Sequence, residues 1–283
     1  MAKLVDNLVK FTIRRLENRQ AKTKKALDNL RWLDYKFKFG ERDDDIYVAT
    51  YPKSGTTLMQ MLLYQLTTDG NMDFNHIYDV SPWIRNAAIT GVPPVELPSP
   101  RIIKTHSPYH TIPATTKGRF IFVTRNPQDC IVSNWHQEIN YRTTTLSIAE
   151  YAERKLKETP NWFEFTQEWL VNKKQFPMLC LRYEDLLADF EGCVSKISKF
   201  LQIEFSEEAV ARAYERTRFD YMKQNEEKFG NRPKTAERVY NQFIRQGKTG
   251  EGARIIPADI AAQYQSLYER TVKSLTESLT GTK

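Results

Sequence analysis

Ile46-Tyr47-Val48-Ala49-Thr50-Tyr51-Pro52-Lys53-Ser54-Gly55-Thr56-Thr57-Leu58-Met59-Gln60-Met61-Leu62-Leu63-Tyr64-Gln65-Leu66 is the stretch that decides the fold of this 283-residue chain. Its first five residues are β-branched, aromatic or small and read as a buried strand. Its last nine contain neither glycine nor proline and follow helical periodicity. Gly55 allows the tight turn between them, and successive N–H groups at a helix N-terminus then face whatever lies in the turn. Thr56 and Thr57 add hydroxyl donors and Lys53 a mobile positive charge. The unit reads as an anion-binding strand–loop–helix, although a plain helix cap would give the same local pattern.

Three further apolar runs read as strands: Arg101 to Thr105, Arg119 to Thr124, and Met178 to Tyr183 after Pro177. Helical periodicity separates them at 128–139, 148–158, 162–173 and 191–202. A last helix over 257–279 is predicted to turn Ile260, Tyr264, Leu267, Val272 and Leu275 inward. Strands alternating with helices imply an α/β fold with a central parallel sheet flanked by helices. No repeat or linker divides the chain, so a single domain over 1–283 is expected. Segment 70–100, with Pro82, Pro93, Pro94, Pro98 and Pro100, reads as a loop on the substrate side. Segment 220–254 is polar and also loop-like.

Composition narrows the function. The chain is 40% hydrophobic and 27% charged, and no apolar run approaches the ~18–20 residues that span a bilayer. Residues 1–25 hold eight bases and two acids, whereas the other 258 residues hold 34 bases and 33 acids. The formal charge of +7 is therefore concentrated at one end, and a general nucleic-acid face is not expected. That basic arm reads as an amphipathic helix with Leu4, Val5, Leu8, Val9 and Leu16 roughly on one side. A solvated terminal helix, a membrane-surface or partner contact, and a transit segment all fit the pattern. Cys130, Cys180 and Cys193 have no paired spacing and read as core residues of a cytoplasmic protein. The four histidines lack metal-ligand spacing, so no metal is expected.

The chemistry lies in an ordered set of blocks. Gly247-Lys248-Thr249 is not part of a Walker A loop, because Gln242 stands where that motif needs glycine. Thr50-Tyr51-Pro52-Lys53-Ser54-Gly55-Thr56-Thr57, Lys104-Thr105-His106, Arg125-Asn126-Pro127-Gln128-Asp129 ending at Ser133, Arg182-Tyr183-Glu184-Asp185, and Phe243 to Gly250 run in that order across 46–252. Together they resemble the cytosolic sulfotransferase family. The resemblance implies transfer of a sulfonate from 3′-phosphoadenosine 5′-phosphosulfate (PAPS), leaving the bisphosphate PAP, to a hydroxyl or amine of a small acceptor, without a metal.

By the same resemblance His106 is the base, and Lys53 and Lys104 assist at the departing phosphate and the sulfonate. Lys53, Ser54, Gly55, Thr56 and Thr57 hold the 5′ side. Arg125, Ser133, Arg245, Gln246 and Gly247 hold the 3′-phosphate, and Tyr183, Thr217 and Phe219 surround adenine. Arg suits the phosphate because its planar fork holds two oxygens at once. Phe74, Tyr78, Trp83, Tyr109, Tyr141 and Tyr240 are candidates for an aromatic acceptor wall, expected to take a phenol or monoamine. Glu138 is a candidate for attracting a cationic amine.

Four positions depart from the family pattern. Leu58 replaces a Trp that stacks on adenine, Gln246 replaces a Lys, and Gly250-Glu251-Gly252 replaces Gly-Asp-Trp. No match to the family's C-terminal dimer motif is evident. Leu58 and Gln246 leave a catalytically impaired nucleotide-binding relative as the alternative reading.

Overall fold

The apolar runs become strands because alternate residues find a different partner on each face. β1 (Ile46–Thr50), β2 (Ile102–Thr105), β3 (Arg119–Thr124) and β4 (Met178–Arg182) form one parallel sheet in the order β2-β1-β3-β4. The computed structural model describes residues 2–230 and 242–280, with side chains at Arg15 and over 19–230 and 242–278. The helices are α1 (Ala2–Phe39), α2 (Thr56–Thr67), α3 (Ile84–Thr90), α4 (Pro127–Asn140), α5 (Ile148–Lys157), α6 (Trp162–Val171), α7 (Tyr183–Ala188), α8 (Phe190–Leu201), α9 (Glu207–Thr217), α10 (Phe219–Gln224), α11 (Gly252–Ile255), α12 (Ala258–Thr271) and α13 (Lys273–Thr280).

One sheet face is aliphatic. Ile46, Val48, Ile102, Ile121, Val123 and Leu181 share a buried cluster with Met59, Leu62 and Leu63 of α2, Leu186 of α7, Ile197 of α8 and Ala213 of α9. The other face is aromatic. Tyr47 stacks on its register partner Phe120 at 4.9 Å, and the Trp169 ring of α6 meets Phe120 and Phe122 at 5.3 and 5.5 Å. Alternation in the strands thus sorts the side chains into two unlike layers.

Register brings the carboxyl ends of all four strands to one edge. Ala49 lies opposite Thr105, Thr50 opposite Val123, and Thr124 opposite Arg182. The chain steps from β1 to one side for β2 and to the other for β3, so the order reverses beside β1. In open α/β sheets the crevice at such a reversal is where ligands bind.

The amino ends are tied by a buried ion pair. Arg101 Nε and Nη2 donate to the two carboxylate oxygens of Asp45 at 2.7 and 2.8 Å. The Asp45 carbonyl accepts from Arg119 N and the Arg101 carbonyl accepts from Ile46 N, both at 2.8 Å. One pair therefore aligns β1, β2 and β3.

Two expectations need adjustment. Within 70–100 the chain forms a short 3-10 turn at Ile77–Asp79 and α3 at Ile84–Thr90. The run Ile84-Arg85-Asn86-Ala87-Ala88-Ile89-Thr90 is free of proline, and Gly91 closes it at φ 74. The single C-terminal helix is divided at Val272, whose φ of −125 departs from helical backbone. Ile260, Tyr264 and Val272 are buried as expected, while Leu267 and Leu275 are half-buried.

Contacts group the chain into two compact units. In the smaller, α1 through Glu41 associates with Trp83–Glu96. There Arg31 Nη1 donates to the Ile89 carbonyl at 3.1 Å, and the Arg85 guanidinium lies 5.7 Å above the Trp32 ring. The larger comprises Arg42–Pro82 and the chain from Leu97 onward, and holds the whole sheet. Among the described residues no helix is long and apolar enough to cross a membrane.

Removing one half of the Asp45–Arg101 pair strands a buried charge. Asp45→Ala is expected to cost about 3–5 kcal/mol, and the Asp45→Ala, Arg101→Met double substitution is expected to recover most of it. Urea denaturation checks both, and a single-variant loss under about 1 kcal/mol would refute the role given to the pair.

Candidate active site

The turn after β1 is built around a glycine that no other residue can replace without strain. Gly55 caps α2 at φ 91, ψ 22, and a Cβ there would lie 2.5 Å from Cδ2 of Tyr183. Lys53 also has positive φ, at 71. This backbone directs the first N–H groups of α2 outward from the carboxyl end of β1, with Thr56 at its first position.

Thr50, the last residue of the central strand, organises the interior of the turn. Its hydroxyl lies 2.6 Å from that of Thr56 and 3.1 Å from Nδ1 of His106. Its carbonyl lies 2.8 Å from the same Nδ1. A carbonyl can only accept, so Nδ1 carries the proton and Nε2 is the unprotonated nitrogen. Beyond His106, the Ser107 carbonyl accepts from Trp169 Nε1 at 3.3 Å, which fixes the segment after β2 to α6.

Positive charge is concentrated here. Burial, reinforced by Lys104, Arg125 and Arg245, lowers the Lys53 ammonium to about 7. Burial lowers Lys104 to about 7 as well. Burial and the Lys104 charge bring the His106 imidazole down to about 3, opposed by its backbone bond to Thr50. Lys104 Nζ donates to the Tyr78 hydroxyl at 2.8 Å, and Lys53 Nζ lies 4.9 Å above the Phe243 ring.

The third and fifth blocks are laced to this loop. Arg125 Nη1 donates to the Lys53 carbonyl at 3.1 Å and Nη2 to the Lys248 carbonyl at 3.0 Å. Its guanidinium stacks 4.4 Å from the Tyr183 ring, and among the described residues its buried Nε has no hydrogen-bond partner. Asn126 caps α4, accepting from the N–H groups of Gln128 and Asp129. Asp129 spends its two oxygens on Gly250 N and Gly252 N, each at 2.8 Å. Gly252 permits that approach, because a Cβ would stand 2.5 Å from the Gln128 backbone. Arg245 forms a two-point ion pair with Glu251, and Gly247 lies against the Phe219 ring.

A family model described as a sulfotransferase domain matches residues 43–276, the span that holds all of these contacts. The chain belongs to the sulfotransferase family. It is 28% identical over 252 residues to an amine sulfotransferase of Oryctolagus cuniculus, covering 83% of each chain. It is 29% identical over 268 residues to human sulfotransferase 1E1, covering 88% of this chain and 90% of the relative. Among solved structures, a retinol dehydratase in complex with androsterone and PAP aligns with a TM-score of 0.71 at 22% identity, covering 86% of this chain and 85% of that one. Mouse sulfotransferase SULT7A1 complexed with PAP aligns at 0.68 and 23%, covering 90% and 94%. These two likenesses establish a shared fold.

The sulfotransferase places its sequence-predicted residues unevenly. Lys53, Ser54, Gly55, Thr56, Lys104, His106, Arg125, Tyr183 and Arg245 are joined by the bonds, ring contacts and charges just described, with Ser54 Oγ 3.3 Å from Cys130 Sγ. Ser133 sits half-buried on α4, Thr57 half-buried on α2, and Gln246 is exposed. Thr217 donates to the Ala213 carbonyl at 2.7 Å, at the end of α9.

Of the acceptor candidates, Tyr78 adjoins Lys104. Phe74 is buried with its ring edge-on to Tyr64 at 5.5 Å, and Tyr109 is buried against Trp169 and Phe176 with its hydroxyl on Asn172. Tyr141 ends α4, Trp83 belongs to the smaller unit, and Tyr240 lies outside the described residues. Glu138 accepts from the Tyr151 hydroxyl at 2.6 Å and pairs with Arg154 and Lys155. Leu58 packs against the core cluster.

Sequence reasoning named Thr50, Asp129, Phe243 and Glu251 within their blocks but gave them no role. An Asp two residues beyond a proline at a helix start was a usable signal, but its backbone partners are more than 120 residues away. Gly55→Ala is expected to cost about 1–3 kcal/mol through positive φ and the Tyr183 contact. That corresponds to a melting temperature lower by roughly 2–10 °C. An unchanged melting temperature would show that the turn tolerates a Cβ.

Proposed function

We propose that this sulfotransferase uses PAPS as its donor and moves the sulfonate to the hydroxyl of a small neutral acceptor, a phenol or similar alcohol, with His106 as the base. The observation that carries the reading is the His106 bond to the Thr50 carbonyl, set beside Lys53 and Lys104 at the ends of adjacent strands. The donor, when bound, supplies an electrophilic sulfur whose bond to a 5′-phosphate oxygen breaks as the bond to the acceptor oxygen forms. The residues present suit such a polyanion. Among the described residues Arg125 has a buried Nε without a partner, and burial lowers both lysines to about 7, with the Lys104 charge adding to the effect on Lys53.

His106 presents Nε2 to take the acceptor's proton, since Nδ1 is committed to Thr50. A low pKa keeps the ring neutral throughout the physiological range, and negative charge arriving beside Lys53 and Lys104 makes Nε2 more basic at the moment it is needed. Lys53 and the N–H groups that open α2 face the charge that grows on the departing phosphate, and stabilising it is the main electrostatic contribution expected. Lys104, oriented by Tyr78, serves the sulfonate. Arg125, Ser133, Arg245 and the Gln246–Gly247 backbone hold the 3′-phosphate, which requires Arg245 to share its fork with Glu251 or leave it. Tyr183, Thr217 and Phe219 border the adenine. A neutral acceptor is favoured over a cationic amine because the Glu138 carboxylate is already engaged by Tyr151, Arg154 and Lys155.

His106→Ala is expected to abolish transfer from PAPS to a simple phenol, a fall of at least ~10², while PAP raises the melting temperature of variant and wild type alike. Retained turnover would refute the base assignment, and a shift with ATP but not PAP would refute the donor. Affinity for PAP should also depend on pH. Lys53 and Lys104 are largely neutral above pH 7 in the free protein and must recover protons to hold an anion. Binding therefore takes up protons, and the Kd should rise with pH between about 7.5 and 9, by up to about tenfold per unit for each lysine. Calorimetry in buffers of different ionisation enthalpy measures the uptake, and a flat Kd with no uptake would refute it.

A further inference from the structure

The helix α1 has two unlike sides. Trp32 carries the Arg85 guanidinium above its ring, Arg31 bonds to the Ile89 carbonyl, and Tyr35 and Phe39 are buried and stacked at 5.9 Å. Across the helix, Leu27, Leu30, Leu33 and Phe37 are 46%, 65%, 62% and 89% exposed. Spacings of three, three and four residues put them in one stripe along about three turns. Exposed apolar side chains are ordinary when scattered, but a continuous stripe on one helix face is not.

The charge next to this stripe decides what covers it. Between Arg15 and Lys25 the helix carries five bases, Arg15, Arg19, Lys22, Lys24 and Lys25, against one acid, Glu17. All five bases are exposed. Lower down, Lys38 is paired with Asp34 and Lys36 with Glu41, so the uncompensated charge lies in the turns preceding the stripe. A second copy of the same helix laid parallel would bring two such basic blocks together along a shared seam and repel it. A sheet of anionic headgroups over an apolar interior answers both features at once, because leucine and phenylalanine tips enter the acyl boundary while lysine and arginine reach the phosphates.

We infer that α1 is an in-plane anchor for an anionic phospholipid surface, with Leu27, Leu30, Leu33 and Phe37 inserted and the 15–25 bases over the headgroups. Each cation near such a surface adds to the attraction, and that share is lost in salt. The inference is independent of the donor and acceptor proposed above, since it concerns the other unit and reads binding, not turnover.

Flotation of the full chain with vesicles tests it. Wild type should rise with phosphatidylcholine vesicles containing about one-third phosphatidylserine. With phosphatidylcholine alone, or in about 0.5 M sodium chloride, binding should be at least tenfold weaker. The Leu30→Glu, Phe37→Glu variant should bind the anionic vesicles at least tenfold less well at an unchanged melting temperature. Should that variant lose stability, Lys22→Glu, Lys25→Glu changes only solvated side chains and should weaken anionic binding to a similar extent. Failure of wild type to float, or equal binding by the charge variant, would overturn the inference. So would light scattering showing a wild-type dimer that Leu30→Glu, Phe37→Glu converts to a monomer, since the stripe would then be a seam between copies.

Discussion

Burial of positive charge at the carboxyl ends of the strands is the constraint on which this part of the larger unit depends. Burial, to which Lys104, Arg125 and Arg245 add at Lys53, lowers both lysines to about 7. Like charges 4 Å apart repel by ~4 kcal/mol at an effective dielectric constant of ~20. Glu251 meets Arg245, and the Asp129 carboxylate is spent on the backbone of Gly250 and Gly252. Such a site is stable only if its walls are held from outside.

The supports are visible on every side. Asp45 and Arg101 align three strands at the far end, so that the strand ends carrying Thr50, Thr105 and Thr124 come to one edge of the sheet. The aromatic layer of Phe120, Phe122 and Trp169 braces the sheet from one face, and α2, α8 and α9 brace it from the other. Thr50 then fixes His106 through a carbonyl and a hydroxyl, and Arg125 clips the Lys53 and Lys248 carbonyls together. Rigidity of this kind lets hydrogen-bond donors and charges be aimed in advance, which is how electrostatic preorganisation lowers a barrier.

Membership of the sulfotransferase family rests on a domain match across 43–276 and on relatives that share 28–29% of their residues over most of the chain. Against that background the local departures acquire physical meaning. Leu58 contributes to the core cluster, and Glu251 keeps a carboxylate on Arg245 where a shorter Asp is usual in the family. The smaller unit, with its exposed stripe and adjoining bases, lies mostly outside the matched domain.

The sequence alone determined what depends on local chemistry. Alternation and apolar runs placed β1, β2, β3 and β4 to within a residue or so, because a strand buried on both faces has to be continuously apolar. Gly55 between Lys53 and Thr56 marked the turn from strand to helix, since a residue with a Cβ is strained at that φ and would collide with Tyr183. Other features were decided by tertiary structure alone. Nothing local to Asp129 points to the N–H groups of Gly250 and Gly252, and nothing in Glu138 announces that Tyr151 and Arg154 will claim it. Phe74 and Tyr109 read as pocket aromatics in composition, and only the tertiary structure shows their rings set edge-on to Tyr64 and Trp169. A side chain's partner is set by which distant segments the sheet brings together, and its charge state by how much water they leave, and neither is written in the residues beside it.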